Sequence, residues 1–207
     1  MKYSIETVVC GVYAENAYLV CPEGRTDAFI IDPGDDLDAL RSALKTSGRT
    51  LAAILLTHGH FDHLLAAEPL VKETGANVYA HADECDMLND PRLNAYNPDC
   101  SAQLCPRKLQ GNPLPEEFEI CGVQFRILHT PGHTPGSVCY YDVENAILFS
   151  GDTLFCAGFG RCDLPGGSMM AMRDSLRQLF AFPGNVCVLP GHGSETSIAR
   201  EKARYRL

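Results

Sequence analysis

Seven side chains in this chain can hold metal ions, and four of them fall within six consecutive positions. The run Thr57-His58-Gly59-His60-Phe61-Asp62-His63 sets three imidazoles and one carboxylate side by side. Nitrogen and oxygen donors of this kind suit zinc, iron or manganese. His133, Asp152 and His192 follow farther along, each beside a glycine at the end of an apolar run. A single structural ion needs only four ligands. Seven donors therefore point to two ions with open positions, as in a hydrolytic centre, where paired cations bring a bound water toward neutrality. His58 and His60 can reach one ion from an extended turn, and Asp62-His63 can serve a second. His81 and His129 have no such context and are expected at the surface or behind the ligands.

These donors must be delivered by the elements before them. Ile5 to Val9, Ala17 to Val20 and Ala28 to Ile31 read as short strands. A helix follows, with Leu37, Leu40, Ala43 and Leu44 on its inner face, Asp35 as its cap and Gly48 as its stop. Leu51 to Leu56 is apolar without alternation, as expected of a strand covered on both faces, and it leads straight into His58. A second helix turns Leu64, Leu65, Ala67, Leu70 and Val71 inward and ends near Gly75. Strands are expected at Asn77 to Ala80, Val123 to Leu128, Ser137 to Tyr141, Ala146 to Phe149 and Val186 to Leu189. Met169, Met172, Leu176, Leu179 and Phe180 recur at helical spacing and read as core. Residues 84–115, with five prolines, form a long excursion that serves either as a substrate mouth or as a packed crossover. A short helix is expected from Glu195 to Arg206. Its basic residues Arg200, Lys202, Arg204 and Arg206 read as a solvated face rather than an anion site. This order suits two packed sheets with helices outside.

Composition narrows the function. The 207 residues carry 17 basic and 26 acidic side chains, for a net charge of -9. General nucleic-acid binding needs a basic face and is not expected. No apolar stretch is long enough to span a bilayer, and the first residues lack the apolar core of a signal peptide, so a cytoplasmic protein is expected. The ten cysteines are scattered without a C-x-x-C pair and are expected to be reduced thiols.

The motifs resemble a known family. His58-Gly59-His60-Phe61-Asp62-His63 matches the H-x-H-x-D-H motif of the metallo-β-lactamase superfamily. Ile31-Asp32-Pro33-Gly34, His129-Thr130-Pro131-Gly132-His133-Thr134, Gly151-Asp152-Thr153-Leu154-Phe155 and Pro190-Gly191-His192-Gly193 fit its other motifs in the same order. Gly160-Arg161-Cys162-Asp163-Leu164-Pro165-Gly166-Gly167 is similar to a segment of short, single-domain glyoxalase II-like hydrolases.

The resemblance implies one domain over residues 1–207, of α+β class, built as an αββα sandwich of two mixed β-sheets flanked by helices. It implies that His58, His60 and His133 bind one ion, that Asp62, His63 and His192 bind a second, and that Asp152 bridges them. Asp62 would also aim the nucleophile. Asp32 and Thr134 would stand behind the ligands, and Arg161 would meet a substrate carboxylate unless Asp163 claims it. The implied cofactors are two divalent ions, zinc foremost, with iron or manganese as alternatives. The implied substrate is a small acyl thioester of the S-(hydroxyacyl)glutathione type, cleaved by a metal-bridging hydroxide. The alternatives are a mononuclear-iron glutathione persulfide dioxygenase or another hydrolase of the fold, such as a lactonase. β-Lactam and nucleic-acid cleavage rank lower. The long glyoxalase II enzymes append a helical domain for glutathione. Here 15 residues follow His192, so that domain is not expected.

Overall fold

The computed structural model describes residues 1–99, 105–106 and 108–205. Among them, two six-stranded sheets lie face to face. The first takes β1 (Tyr3–Cys10), β2 (Glu15–Pro22), β3 (Asp27–Ile31), β4 (Thr50–Leu55), β5 (Asn77–Ala80) and β6 (Asn112–Pro113) in that spatial order. Pairing is antiparallel through β1, β2 and β3, then parallel from β3 to β6. The second comprises β7 (Glu117–Ile120), β8 (Val123–His129), β9 (Val138–Asp142), β10 (Ile147–Gly151), β11 (Cys187–Pro190) and β12 (Thr196–Ser197). Its pairs are antiparallel except for the parallel β10–β11 pair.

Alternation along the strands builds three core layers. In β2, Tyr18 and Val20 face the second sheet, while Ala17 and Leu19 face the helices α1 (Leu37–Ser47) and α2 (Ala67–Thr74). In β9, Val138 and Tyr140 point between the sheets, and Cys139 and Tyr141 meet α3 (Met169–Phe180) and α4 (Ile198–Lys202). Period-two side chains thus cover both faces of each sheet, which is why these strands carry apolar residues without polar interruption. The αββα sandwich expected from the motifs is the fold observed.

Several local expectations need correction. Asp36, not Asp35, caps α1: its Oδ1 accepts from the Ala39 amide at 3.1 Å. The second helix starts only at Ala67, because Phe61–His63 form a separate single turn of 3-10 helix. Met169 is exposed, since it opens α3 before the inward stripe begins at Met172. The C-terminal helix is shorter than expected, because Thr196 and Ser197 pair with β11 first. Its Lys202 donates to the Phe180 carbonyl and Arg204 pairs with Glu201, so these two residues of the basic tail pack against the chain itself. Arg206 lies outside the described residues. The nine described cysteines are free thiols. No described helix is long and apolar enough to cross a membrane.

Candidate metal centre

All seven donors sit just beyond the C-terminal end of a strand. β4 delivers His58 and His60, and the 3-10 turn after it presents Asp62 and His63. β8 leads to His133, β10 to Asp152 and β11 to His192. The two sheets therefore empty their loops onto one edge. Bonds between the sheets hold that edge together: Tyr140 donates to the Leu56 carbonyl at 2.7 Å, Tyr18 to the Pro190 carbonyl at 2.6 Å, and the Val138 amide to the Thr57 carbonyl at 2.8 Å. Gly151 makes one approach possible. Its φ is +47°, and a β-carbon there would stand 2.3 Å from Thr57 Oγ1.

The seven side chains meet as two groups. His58, His60 and His133 offer three nitrogens within 4.8 Å of one another, as do Asp62, His63 and His192 with one oxygen and two nitrogens. His60 Nδ1 faces His133 Nε2 at 2.8 Å, and His63 Nε2 faces His192 Nε2 at 3.2 Å. Asp152 stands between the groups: Oδ2 is 3.3 Å from His133 Nε2 and 3.6 Å from His192 Nε2, and Oδ1 is 3.4 Å from His63 Nε2. Asp62 Oδ2 lies 3.4 Å from His192 Nε2.

Hydrogen bonds on the far side of the rings settle which nitrogen faces inward. His133 Nδ1 donates to the Arg161 carbonyl at 2.6 Å and His192 Nδ1 to the Tyr13 carbonyl at 3.0 Å. Asp32 serves two more. Its Oδ2 accepts from His63 Nδ1 at 3.0 Å and from the Thr57 hydroxyl at 2.6 Å; that hydroxyl lies 3.0 Å from His58 Nδ1. Carbonyls and carboxylates only accept, so Nδ1 of His63, His133 and His192 carries a proton and Nε2 is the nitrogen turned to the centre. Asp32 also accepts from the Thr57 amide at 2.7 Å and has a φ of +49°. Such strain in a residue with a side chain persists where the surroundings over-determine it.

Three buried atoms of the seven side chains have no protein partner among the described residues. His58 Nε2 and Asp152 Oδ1 are buried with no hydrogen bond, as is the second ring nitrogen of His60. Buried polar atoms in this state are costly, and lone pairs converging from neutral imidazoles are relieved by a cation. Burial, reinforced by the neighbouring imidazoles, holds His58 well below its ordinary pKa and takes His60 down to about 3. Burial works the same way on His63, but Asp152, Asp62 and Asp32 outweigh it and hold that ring well above its usual value. Burial raises Asp152 and Asp62, yet the facing imidazoles outweigh it and leave both carboxyls below their usual range. The donor set fits two divalent cations.

The model of the Metallo-beta-lactamase superfamily matches residues 10–192. The chain belongs to this superfamily. Hydroxyacylglutathione hydrolase GloC of Haemophilus influenzae is 31% identical over 96% of this chain and 95% of its own length. The crystal structure of TTHA1623 in a di-iron-bound form superposes with a TM-score of 0.85, at 39% identity, over 95% of this chain and 96% of that one. The crystal structure of BLEG-1 B3 metallo-beta-lactamase also gives 0.85, at 36% identity and 97% coverage of both.

Within this metallo-β-lactamase fold, other motif residues act at one remove. Arg161 reaches the centre through its backbone, while its guanidinium forms a two-pronged pair with Asp163 at 2.7 and 2.8 Å. Thr134 follows the donor His133 directly, but its hydroxyl is turned away to other partners. It bonds Ser137 Oγ at 2.7 Å and supports Glu84. Glu84 itself had no signal in the sequence, lying at the start of the irregular excursion. It is fully buried, and its two oxygens accept from the Gly59 and Gly136 amides, each at 2.6 Å. It thus ties the His58 loop to the His133 loop. Glu15 was equally silent. It is buried 3.8 Å from His63 Nδ1 with neither oxygen bonded, and burial holds its pKa well above the usual value. His81 and His129 stack at 4.3 Å with planes 6° apart. With Asp83 they form a further group of donors within 4.8 Å of one another, composed of none of the seven.

A cleft of about 470 Å³ opens over the centre, with His60, Asp62, His133, Asp152 and His192 on its floor. Tyr13, Phe61, Phe155 and Leu164 wall it, and Ala95 and Asn97 bring the excursion to its mouth. The excursion is also a packed crossover, for the Asn94 carbonyl accepts from the Phe61 amide at 3.0 Å. Its residues 100–104 and 107 lie outside the described residues. A wider concavity of about 970 Å³ along β7 and β8 contains none of the seven donors.

Proposed function

We propose that this chain is a metal-dependent hydrolase of acyl thioesters of the S-(hydroxyacyl)glutathione type. His58, His60 and His133 would hold one divalent ion, Asp62, His63 and His192 a second, and Asp152 both. The observation that carries this reading is the convergence of six inward-facing donors in two groups with Asp152 between them. Zinc is the foremost metal, with iron or manganese served by the same donors. The likeness to GloC and the Gly160-Arg161-Cys162-Asp163-Leu164-Pro165-Gly166-Gly167 segment support the thioester substrate.

Bound there, the two ions would supply an activated water and a Lewis acid for the carbonyl oxygen. The protein's own contribution is positional. Asp62 lies at the cleft floor, where the oxygen not turned to His192 can accept a hydrogen bond from the attacking water and aim it. The Arg161, Tyr13 and Asp32 acceptors keep four imidazoles from turning. The aromatic walls exclude bulk water from the reacting carbonyl. A thiolate is a good leaving group, so no separate general acid is required.

Elemental analysis of the purified protein, joined to turnover of lactoylglutathione and other acyl thioesters, tests the reading. Two ions per chain with thioester turnover is the expected result. One iron per chain with thiol-dependent oxygen uptake would replace it with the persulfide dioxygenase reading. The likeness to BLEG-1 favours β-lactam hydrolysis as a second activity of the same centre. Cleavage of a chromogenic cephalosporin without any thioester turnover would make that the function.

A further inference from the structure

The cleft walls say more about the substrate than the metal donors do. Tyr13 packs edge-on against Phe61 with centroids 5.6 Å apart and planes at 85°, and Phe61 meets Tyr96 in the same way at 5.8 Å and 90°. Across the cleft, Phe155 stands edge-on to His192 at 5.9 Å, with Leu164 beyond it. Tyr13 is 46% exposed and its neighbour Val12 71%. The Gly11–Ala14 turn therefore presents apolar surface to solvent at the rim of the centre. Gly11 and Ala14 hold this turn with φ of +60° and +51°, and His192 Nδ1 bonds the Tyr13 carbonyl. The Tyr13 ring is thus placed by the backbone that orients a metal donor. The cation in the described lining, Arg161, is engaged on both prongs by Asp163.

We infer that this cleft selects thioesters bearing an extended apolar or aromatic group, with the exposed Tyr13, braced by the buried Phe61, and the half-buried Phe155 and Leu164 as the surface against which that group packs. The inference rests on the thioester reading above and names its substrate class. A polar group laid against these rings gives up hydration without a partner, whereas an apolar one gains by burying area. Stacked or edge-on contact with Tyr13 or Phe155 adds to that for an aromatic group.

Two substrate series on the metal-loaded full chain test it. One holds N-acetylcysteamine fixed and lengthens the acyl group from acetyl to hexanoyl and phenylacetyl. The other holds acetyl fixed and enlarges the thiol from mercaptoethanol to hexanethiol and benzyl mercaptan. In at least one series kcat/KM is expected to rise about two- to fourfold per methylene. A flat or falling trend in both overturns the inference. Tyr13→Ala keeps the backbone carbonyl, and it is expected to cut the hexanoyl-to-acetyl or hexanethiol-to-mercaptoethanol preference about tenfold. An unchanged ratio, with metal content intact, overturns it as well. Calorimetric binding of the matching non-hydrolysable thioethers separates the two readings. No turnover with affinity still rising along the series removes the thioesterase reading alone. Turnover without any such rise in affinity or kcat/KM removes this inference alone.

Discussion

The Arg161 carbonyl accepts from His133 Nδ1 at 2.6 Å, while the Arg161 side chain turns away to Asp163. The segment around it therefore serves the centre through its backbone. Arg161→Ala is expected to keep both ions. Gly160→Ala is not, because a β-carbon there would stand 2.1 Å from the Asp152 carbonyl and 2.9 Å from His133 Nδ1. Its metal affinity should fall about tenfold to a hundredfold. Chelator competition on the two variants compares them directly. Equal loss in both would contradict the backbone role.

Asp32 couples the two groups of donors, touching His63 directly and His58 through Thr57. Asp32→Asn leaves one acceptor oxygen where two are used. The expected result is weaker binding of both ions, again by about tenfold to a hundredfold. Stepwise metal titration reads each ion separately, and loss confined to one of them would argue against the coupling.

Glu84 offers two oxygens to two buried amides, those of Gly59 and Gly136. Glu84→Gln has a single acceptor oxygen, so one amide loses its partner at a cost of about 1–3 kcal/mol. At about 2–4 °C per kcal/mol for a chain of this size, thermal melting resolves the change. A melting temperature equal to that of the parent would remove the loop-tying role.

His58→Ala and Asp152→Ala each remove an inward donor. Both are expected to abolish turnover while leaving the fold intact, as judged by circular dichroism, with fewer than two ions retained. Substantial residual activity in either would contradict the ligand assignment.

The metal-free protein has a stability maximum set by its imidazoles. His58 and His60 stay neutral in the fold, His60 down to about 3, whereas unfolded imidazoles titrate near about 6.5. As pH falls below that value the unfolded chain binds the extra protons, and stability drops. Asp62 and Asp152, held low, lose their contribution as pH falls through their folded values. His63 and His192 are held high, so their contribution is complete below about 6.5 and is lost as pH rises through their folded values. Melting curves with chelator from about pH 4 to about pH 9 should peak between the extremes. A melting temperature that climbs steadily toward acid would refute this balance.

The linear sequence determined the set of candidate donors and the architecture. Histidine and aspartate are the donors wherever the chain takes them, so the His58–His63 run and its distant partners were legible by type and spacing. Apolar strands each ending in glycine and a donor announced two sheets with their loops at one edge. Only the tertiary structure decided what holds those donors in place. Glu84 sits amid prolines and asparagines with no periodicity, and its meaning appears once Gly59 and Gly136 are brought to within 2.6 Å of it. The choice of Nδ1 or Nε2 depends on acceptors as remote in sequence as Tyr13 for His192. Arg161 read as a side chain for a substrate or for Asp163; the structure pairs its guanidinium with Asp163 and sets its carbonyl against His133. A residue's type carries its donors and acceptors, but which of them is used depends on neighbours that only chain closure supplies.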